Sequence, residues 1–254
     1  MTQEVLTERC GNILIITINR PEARNACNGA VATKMNAAMD LLEEDEDLFL
    51  GILTGSSGVF SAGSDLKAAV RKESTSTDAR GPYGLIRKPP GKPLIAAVEG
   101  FALGGGMELC LTCDLIVAAR TARMGLPEVH HGVAAVYGGL FRLPKRLPYH
   151  IAMELALSGD AKDAVFFHQH GLVNRLVEPG TALEEAIKLA NQLLESGPLA
   201  LAASAQVIRR STDWTEDEAW ERQQPILQKA TTSQDAREGV QAFIEKRRPQ
   251  WRGI

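Results

Sequence analysis

Two carboxylates and two glycine-rich turns carry most of the chemistry this sequence could perform. Glu108 directly follows the triplet Gly104-Gly105-Gly106, Glu128 closes Gly125-Leu126-Pro127-Glu128, and both stand among apolar neighbours. Burial raises the pKa of a carboxyl group and a second carboxylate nearby raises it further, which lets such a pair divide general acid and general base roles. A lone Glu on a helix is ordinarily a surface residue, so this reading requires the two to meet in space. The triplet precedes the helical run Met107-Glu108-Leu109. Its N–H groups can therefore converge at a helix N-terminus, where negative charge is favoured. A second turn, Phe60-Ser61-Ala62-Gly63-Ser64-Asp65, brings another N–H to the same place if its parent strand neighbours the first. Two such donors make an oxyanion hole, which stabilises an enolate or tetrahedral oxyanion by roughly 3 to 4 kcal/mol each. Glycines by themselves are weak evidence, since tight turns account for most of them.

Other chemistries fit less well. A dinucleotide fingerprint needs a third glycine where Leu109 stands, and no Gly-Lys-Ser/Thr follows the triplet as a P-loop requires. Neither Ser61 nor Ser64 lies in G-x-S-x-G, and spacing identifies no His partner, which counts against a serine nucleophile. His130 and His131 adjoin Glu128 without an HExxH frame, and consecutive side chains rarely reach one ion, so we expect no metal site. Of the four cysteines, Cys110 and Cys113 form a C-x-x-C, a redox or metal spacing. No second pair follows and the surroundings are apolar, so they read as small core residues.

These residues need elements to position them. Ile13-Leu14-Ile15-Ile16-Thr17-Ile18 is short and β-branched, as a buried strand should be, and Asn19-Arg20-Pro21 ends it. Asn28 caps a helix with Val31, Met35, Ala38 and Leu42 on one face, and the acidic run Glu43 to Asp47 reads as a solvated turn. Strands at Leu50 to Thr54 and Leu94 to Val98 each lead into a glycine-rich turn; further strands are expected at Asp114 to Ala119 and Leu172 to Val177. Strands interleaved with helical patterns indicate an α/β core. Residues Ala68 to Pro90 show little periodicity and read as a mobile segment over a pocket mouth or a plain surface loop. From about Thr181 the pattern is helical, with Thr181/Glu184 and Thr215/Glu218 as capping signatures. Pro198 suits a first turn, and a last helix from Ser233 aligns Ala236, Val240, Phe243 and Ile244. No internal repeat is visible.

The formal net charge of −3 gives no general attraction for nucleic acid. No apolar run approaches the roughly 20 residues of a membrane span. Met1-Thr2-Gln3-Glu4 carries no basic cluster leading into an apolar stretch, so a cytoplasmic protein is the expectation.

Taken together, Asn19-Arg20-Pro21-Glu22-Ala23-Arg24-Asn25-Ala26, the Phe60 to Leu66 turn, Gly100 to Leu109 and Gly125 to Glu128 resemble the crotonase (enoyl-CoA hydratase/isomerase) superfamily. Gly171-Leu172-Val173-Asn174 and Glu238 to Arg247 extend the resemblance over nearly the whole chain. It implies an α/β fold with a core of repeated ββα turns over residues 1–195 and a C-terminal helical region, 196–254, that builds homotrimers often paired into hexamers. It also implies coenzyme A as the acyl carrier, with no metal or nicotinamide. By position, the N–H groups of Ser64 and Gly105 form the oxyanion hole. Arg24, Ala26, Ala62, Ser64, Asp65 and Leu66 lie against CoA, and Lys246 and Phe243 reach it from the terminal helix of the same or a neighbouring subunit.

The resemblance also gives the leading chemistry. Glu108 and Glu128 match the two carboxylates that hydratases place beside the enoyl double bond, which implies Glu108 as base on water attacking C3 and Glu128 as the group that donates or shares the proton delivered to C2. Ser64 to Ala69, Arg142 to Pro148 and Glu245 to Gly253 are most similar to the crotonobetainyl-CoA (carnitinyl-CoA) hydratases. The sequence departs from the usual pattern at Ala135-Val136-Tyr137, where Ala135 replaces a common proline. A quaternary ammonium acyl group calls for an aromatic or acidic lining, and Tyr83, Tyr137 and Trp251 are the aromatic candidates. An isomerase or acyl-CoA hydrolase using one carboxylate is the nearest rival, and a non-catalytic acyl-CoA-binding or RNA-binding relative the more distant one.

Overall fold

The computed structural model describes residues 3–254. An antiparallel pair, β1 (Val5–Cys10) and β2 (Ile13–Ile18), opens the chain and is followed by α1 (Gly29–Glu44) and β3 (Leu50–Gly55). The short α2 (Leu66–Val70) and the two-residue strands β4 (Ser76–Thr77) and β5 (Gly81–Pro82) come next. Then β6 (Leu94–Val98) and β7 (Phe101–Leu103) lead to α3 (Gly105–Cys110), while β8 (Leu115–Ala119) and β9 (Arg123–Gly125) lead to a 3₁₀ turn over Pro127–His131 and α4 (Gly139–Arg142). After α5 (Tyr149–Ser158), β10 (Lys162–Asp163), α6 (Ala164–Gln169) and β11 (Arg175–Val177), the remaining elements are helices. These are α7 (Ala182–Leu193), α8 (Pro198–Ser211), α9 (Glu216–Arg222), α10 (Gln224–Thr231) and α11 (Gln234–Glu245).

The main sheet runs β1-β2-β3-β6-β8-β11, parallel except at β1, and a second sheet runs β10-β9-β7. The apolar runs of β2, β3 and β6 follow from burial on both faces. Leu14, Ile16 and Ile18 pack with Val31, Met35, Met39 and Phe60 on one side, and Ile13, Ile15, Ile52 and Ile95 with Ala186, Leu189 and Ala190 of α7 on the other. β6-β7-α3 and β8-β9-3₁₀ turn are successive ββ-helix units whose second strands pair with each other in parallel. In the preceding unit that second strand is reduced to a single bridge, Ser61 with Ala102. The repeat is thus structural, and strands of three residues leave little trace in a sequence.

Several sequence expectations change in detail. Leu172 and Val173 are core residues but not strand: both N–H groups donate to the Phe167 carbonyl in the turn after α6. Thr181 does not cap α7 through its side chain, because its hydroxyl donates back to the Glu178 carbonyl. The carboxylate of Glu99 accepts from the Gly180 and Ala182 N–H groups instead. Asn28 and Thr215 cap as expected, Thr215 in a full capping box with Glu218, and the Ser233 hydroxyl caps the last helix. Residues 68–90 are anchored rather than loose. Thr77 donates to Asn36 and Arg80 pairs with Asp40, both on α1, while Tyr83, Leu85 and Ile86 enter the core. α8 is tied to the sheet by Arg209, whose guanidinium bonds the Asp114 carboxylate and the carbonyls of Pro90 and Lys92.

Candidate active site

Since β3 pairs directly with β6, the two glycine-rich turns that leave these strands lie side by side. The Ser61 N–H donates to Phe101 O and the Leu103 N–H to Ser61 O. Gly63 adopts φ +91, and a Cβ there would stand 2.6 Å from Leu103 O and 2.9 Å from Gly105 N, so the approach admits only glycine. Gly105 opens α3, and among the described residues neither its N–H nor that of Ser64 donates to a protein acceptor. Two donors on adjoining turns without a protein acceptor are what an oxyanion cradle would need.

A third turn fastens this cradle. Arg24 and Asn25 are both left-handed, at φ +51 and +56. The Ala62 N–H donates to Arg24 O, the Cys27 N–H to Gly63 O and the Asp65 N–H to Cys27 O. Buried Asn25 donates from its amide to Ser56 O and Val59 O and accepts from the Arg20 N–H. Arg20 pairs with Asp65 at 2.9 Å and donates to Ala26 O. Partial burial opposes ionisation of Asp65, yet the Ala68 N–H and the Arg20 guanidinium outweigh it and hold its carboxyl below the usual range. Asp65 also caps α2, which leaves Leu66 exposed beside the turn. Arg24, Ala26, Ala62, Ser64, Asp65 and Leu66 therefore share one stitched surface. Phe243 and Lys246 do not join it through any described hydrogen bond or ion pair; they lie exposed at the end of α11, with Lys246 left-handed at φ +54.

Glu108 and Glu128 flank the triplet. Glu108 is 1% exposed, and its Oε1 accepts the N–H groups of Tyr137 at 2.7 Å and Gly139 at 2.9 Å. Burial pushes its carboxyl up to about 6; the Glu128 charge adds to that rise, while the Gly139 and Tyr137 N–H groups and Arg142 oppose it. Glu128 approaches from the other turn, with its Oε1 3.0 Å from where a Gly104 Cβ would stand. Its pKa is also raised by burial, against the pull of its own N–H and of His131, and its buried Oε2 has no hydrogen-bond partner. A buried carboxyl oxygen without a partner, on a Glu whose charge raises the pKa of a second buried Glu, is what an acid and base pair requires.

The residues singled out for other roles fall elsewhere. Cys110 and Cys113 are free and buried, with both thiols pushed up by burial, so they pack rather than react. His130 packs under Gly159. No group of three His, Cys, Asp or Glu side chains among the described residues could hold a metal ion, and no helix among them is long and apolar enough to cross a membrane. Trp251 lies against Gly197 and Gly239 and donates to Glu195 O. Tyr83 and Tyr137 contact each other edge to face, with centroids 5.0 Å apart, so no cation fits between them. The sequence reading missed Asn25 and Arg20 as the fasteners of the cradle, and Tyr83 as its neighbour. The signals were a polar Asn inside the Asn19–Ala26 motif and a bulky aromatic set between Gly81 and Gly84.

The sequence profile of the family described as Enoyl-CoA hydratase/isomerase matches residues 8–253. The chain belongs to that family, and its superhelix of ββα units is the crotonase fold. It is 39% identical over 253 residues to the enoyl-CoA hydratase EchA19 of Mycobacterium tuberculosis, covering 97% of this chain and 95% of that protein. It is also 39% identical to the carnitinyl-CoA dehydratase of Salmonella typhi, covering 100% of both. Among solved structures, an enoyl-CoA hydratase from M. tuberculosis superposes with a TM-score of 0.96 at 53% identity, and a carnitinyl-CoA hydratase from Mycobacterium avium with 0.79 at 38%; each match covers 100% of both chains.

Proposed function

We propose that this protein is a hydro-lyase that reversibly adds water across the double bond of a 2-enoyl-CoA thioester. The observation that carries the reading is buried Glu108, raised to about 6 in part by the charge of Glu128, whose buried Oε2 has no partner, together with two N–H donors on adjoining turns that meet no protein acceptor. The thioester oxygen accepts from the Ser64 and Gly105 N–H groups. Ionised Glu108 takes a proton from water as the water oxygen bonds to C3, and the double-bond electrons move onto the thioester oxygen as an enolate. Protonated Glu128 then delivers its proton to C2 and the carbonyl reforms. The two carboxyls exchange protonation states in one turnover and reset through solvent. The hole acts where charge develops, which is where a donor lowers a barrier.

CoA lies along the stitched surface of Arg24, Ala26, Ala62 to Asp65 and Leu66, and Lys246 and Phe243 contact it from the terminal helix of a neighbouring protomer. Exposed apolar side chains on the terminal helices, among them Ile208, Trp220, Val240 and Ile244, support a homotrimer built through residues 196–254 and joined to a core of 1–195. A short apolar enoyl group is favoured over a quaternary ammonium one, because the candidate aromatic residues form no cage.

The test follows loss of enoyl-thioester absorbance, with product mass, for crotonyl-CoA and crotonobetainyl-CoA, using wild type, Glu108→Gln and Glu128→Gln. A water adduct that both variants lose supports the reading. Binding of CoA thioesters without gain of water overturns it in favour of an isomerase, a hydrolase or a binding protein.

A further inference from the structure

Tyr83 has no assigned part in this reaction, yet its side chain touches both turns of the proposed oxyanion cradle. Its hydroxyl is hydrogen-bonded to Ser64 Oγ, and a Cβ on Gly105 would stand 2.2 Å from that hydroxyl, so the ring lies directly against the glycine that supplies the second donor. On its other side the ring meets Tyr137, whose own N–H holds the base Glu108. The backbone that delivers it is unusual. Tyr83 is left-handed at φ +50, a genuine outlier for so bulky a residue, and such strain persists where the surroundings over-determine it. Here they do. The Tyr83 N–H donates to Thr75 O, and Gly84 lies so close to α1 that a Cβ would stand 2.1 Å from Ala32 O. Arg80 is locked to Asp40, and Arg142 donates to Ile86 O. The ring is therefore a fixed wall. It is fully buried and continuous with the main core, and through Ser64, Gly105 and Tyr137 it adjoins both the two free donors and the turn that holds Glu108.

We propose that Tyr83 is a specificity-determining residue, the rigid inner wall that makes the acyl pocket accept short acyl groups and refuse longer ones. This rests on the hydratase reading only for the direction in which the acyl group lies. Anchors on both sides of residues 76–87 prevent the gap left by truncation from collapsing, so added methylenes can occupy it. A hydrophobic pocket discriminates by about tenfold or more for each methylene it accepts or refuses.

The experiment measures binding of butyryl-CoA and octanoyl-CoA by calorimetry, and kcat/KM for crotonyl-CoA and 2-octenoyl-CoA, with wild type, Tyr83→Ala, Tyr83→Leu and Tyr83→Phe. The expected result is an octanoyl-to-butyryl affinity ratio at least about tenfold higher in Tyr83→Ala, with the kcat/KM ratio moving alike. Tyr83→Phe keeps the wall and the wild-type ratio. Tyr83→Leu, which preserves a buried apolar side chain should the alanine variant not fold, shifts the ratio in the same direction by several-fold. An unchanged ratio in a folded Ala or Leu variant overturns the proposal, as does a Phe variant that shifts the ratio as far as Ala. Because saturated thioesters undergo no hydration, the binding ratio judges the wall even if wild type adds water to neither enoyl substrate, an outcome that would defeat the hydratase reading alone.

Discussion

Replacing Glu108 by Gln removes one charge and one titration, and the structure fixes the sign and size of the result. The carboxyl rises from an ordinary 4.5 to about 6 because it is buried beside Glu128, so the folded chain holds this proton more tightly than the unfolded chain does. Stability contributed by the group is complete below about pH 4.5 and is lost as pH rises through about 6. Moving a carboxyl from 4.5 to about 6 corresponds to about 2 kcal/mol of differential stability. Glutamine can still accept the Tyr137 and Gly139 N–H bonds through its amide oxygen, but it does not titrate. Urea unfolding of both proteins from pH 4 to pH 7.5 is therefore expected to show the variant gaining on wild type by about 2 kcal/mol across that range, whatever their offset at pH 4. Activity moves the opposite way. The variant loses roughly 10²- to 10⁴-fold in kcat/KM, and the wild-type acid limb follows an apparent pKa near 6 that belongs to the interacting pair. A stability gap independent of pH would refute the claim that Glu108 is buried as a charged, perturbed base, whatever the activity shows.

Three further perturbations examine how the site is held. Gly63→Ala forces a side chain onto a left-handed backbone against Leu103 O and Gly105 N; we expect about 1 to 3 kcal/mol of destabilisation in chemical denaturation and a fall in kcat larger than any rise in KM. Asn25→Ala strips the partners from Ser56 O, Val59 O and the Arg20 N–H, for a loss of about 2 to 4 kcal/mol in the same assay. Glu99→Ala uncaps α7 at the Gly180 and Ala182 N–H groups and costs about 1 kcal/mol, whereas Thr181→Ala costs less than about 0.5 kcal/mol; equal losses would mean that the cap is misassigned.

The parts of the fold legible in the sequence are those whose environment is uniform. β2, β3 and β6 are buried on both faces, so each residue is apolar and the run announces itself. α1 shows its helical period because only its Val31, Ala32, Met35, Ala38, Met39 and Leu42 side is buried. Residues 68–90 hide their role because their buried side chains, Tyr83, Leu85 and Ile86, follow a turn rather than a period, and their anchors are polar contacts to α1. The carboxylates and glycine turns were visible as residue types. Their convergence was not, since it depends on β3 lying next to β6 and on a bridge of one residue pair.

The departure at Ala135-Val136-Tyr137 touches both the proposed base, Glu108, and the proposed acyl wall, Tyr83, and the structure separates the two. Glu108 is held by the N–H groups of Tyr137 and Gly139 and not by any side chain of this turn. Any residue other than proline supplies such a donor, so position 137 can vary without releasing the base. What varies is the ring, which packs edge to face on Tyr83 and reaches Thr75 through its hydroxyl. The two N–H bonds also set the proton affinity. Burial alone drives a carboxyl toward the neutral acid, and two donated hydrogen bonds pull it back, leaving Glu108 near 6, ionised at neutral pH yet basic enough to take a proton from water. A loop that fixes its carboxylate through backbone and its pocket through side chains can change substrate without losing chemistry.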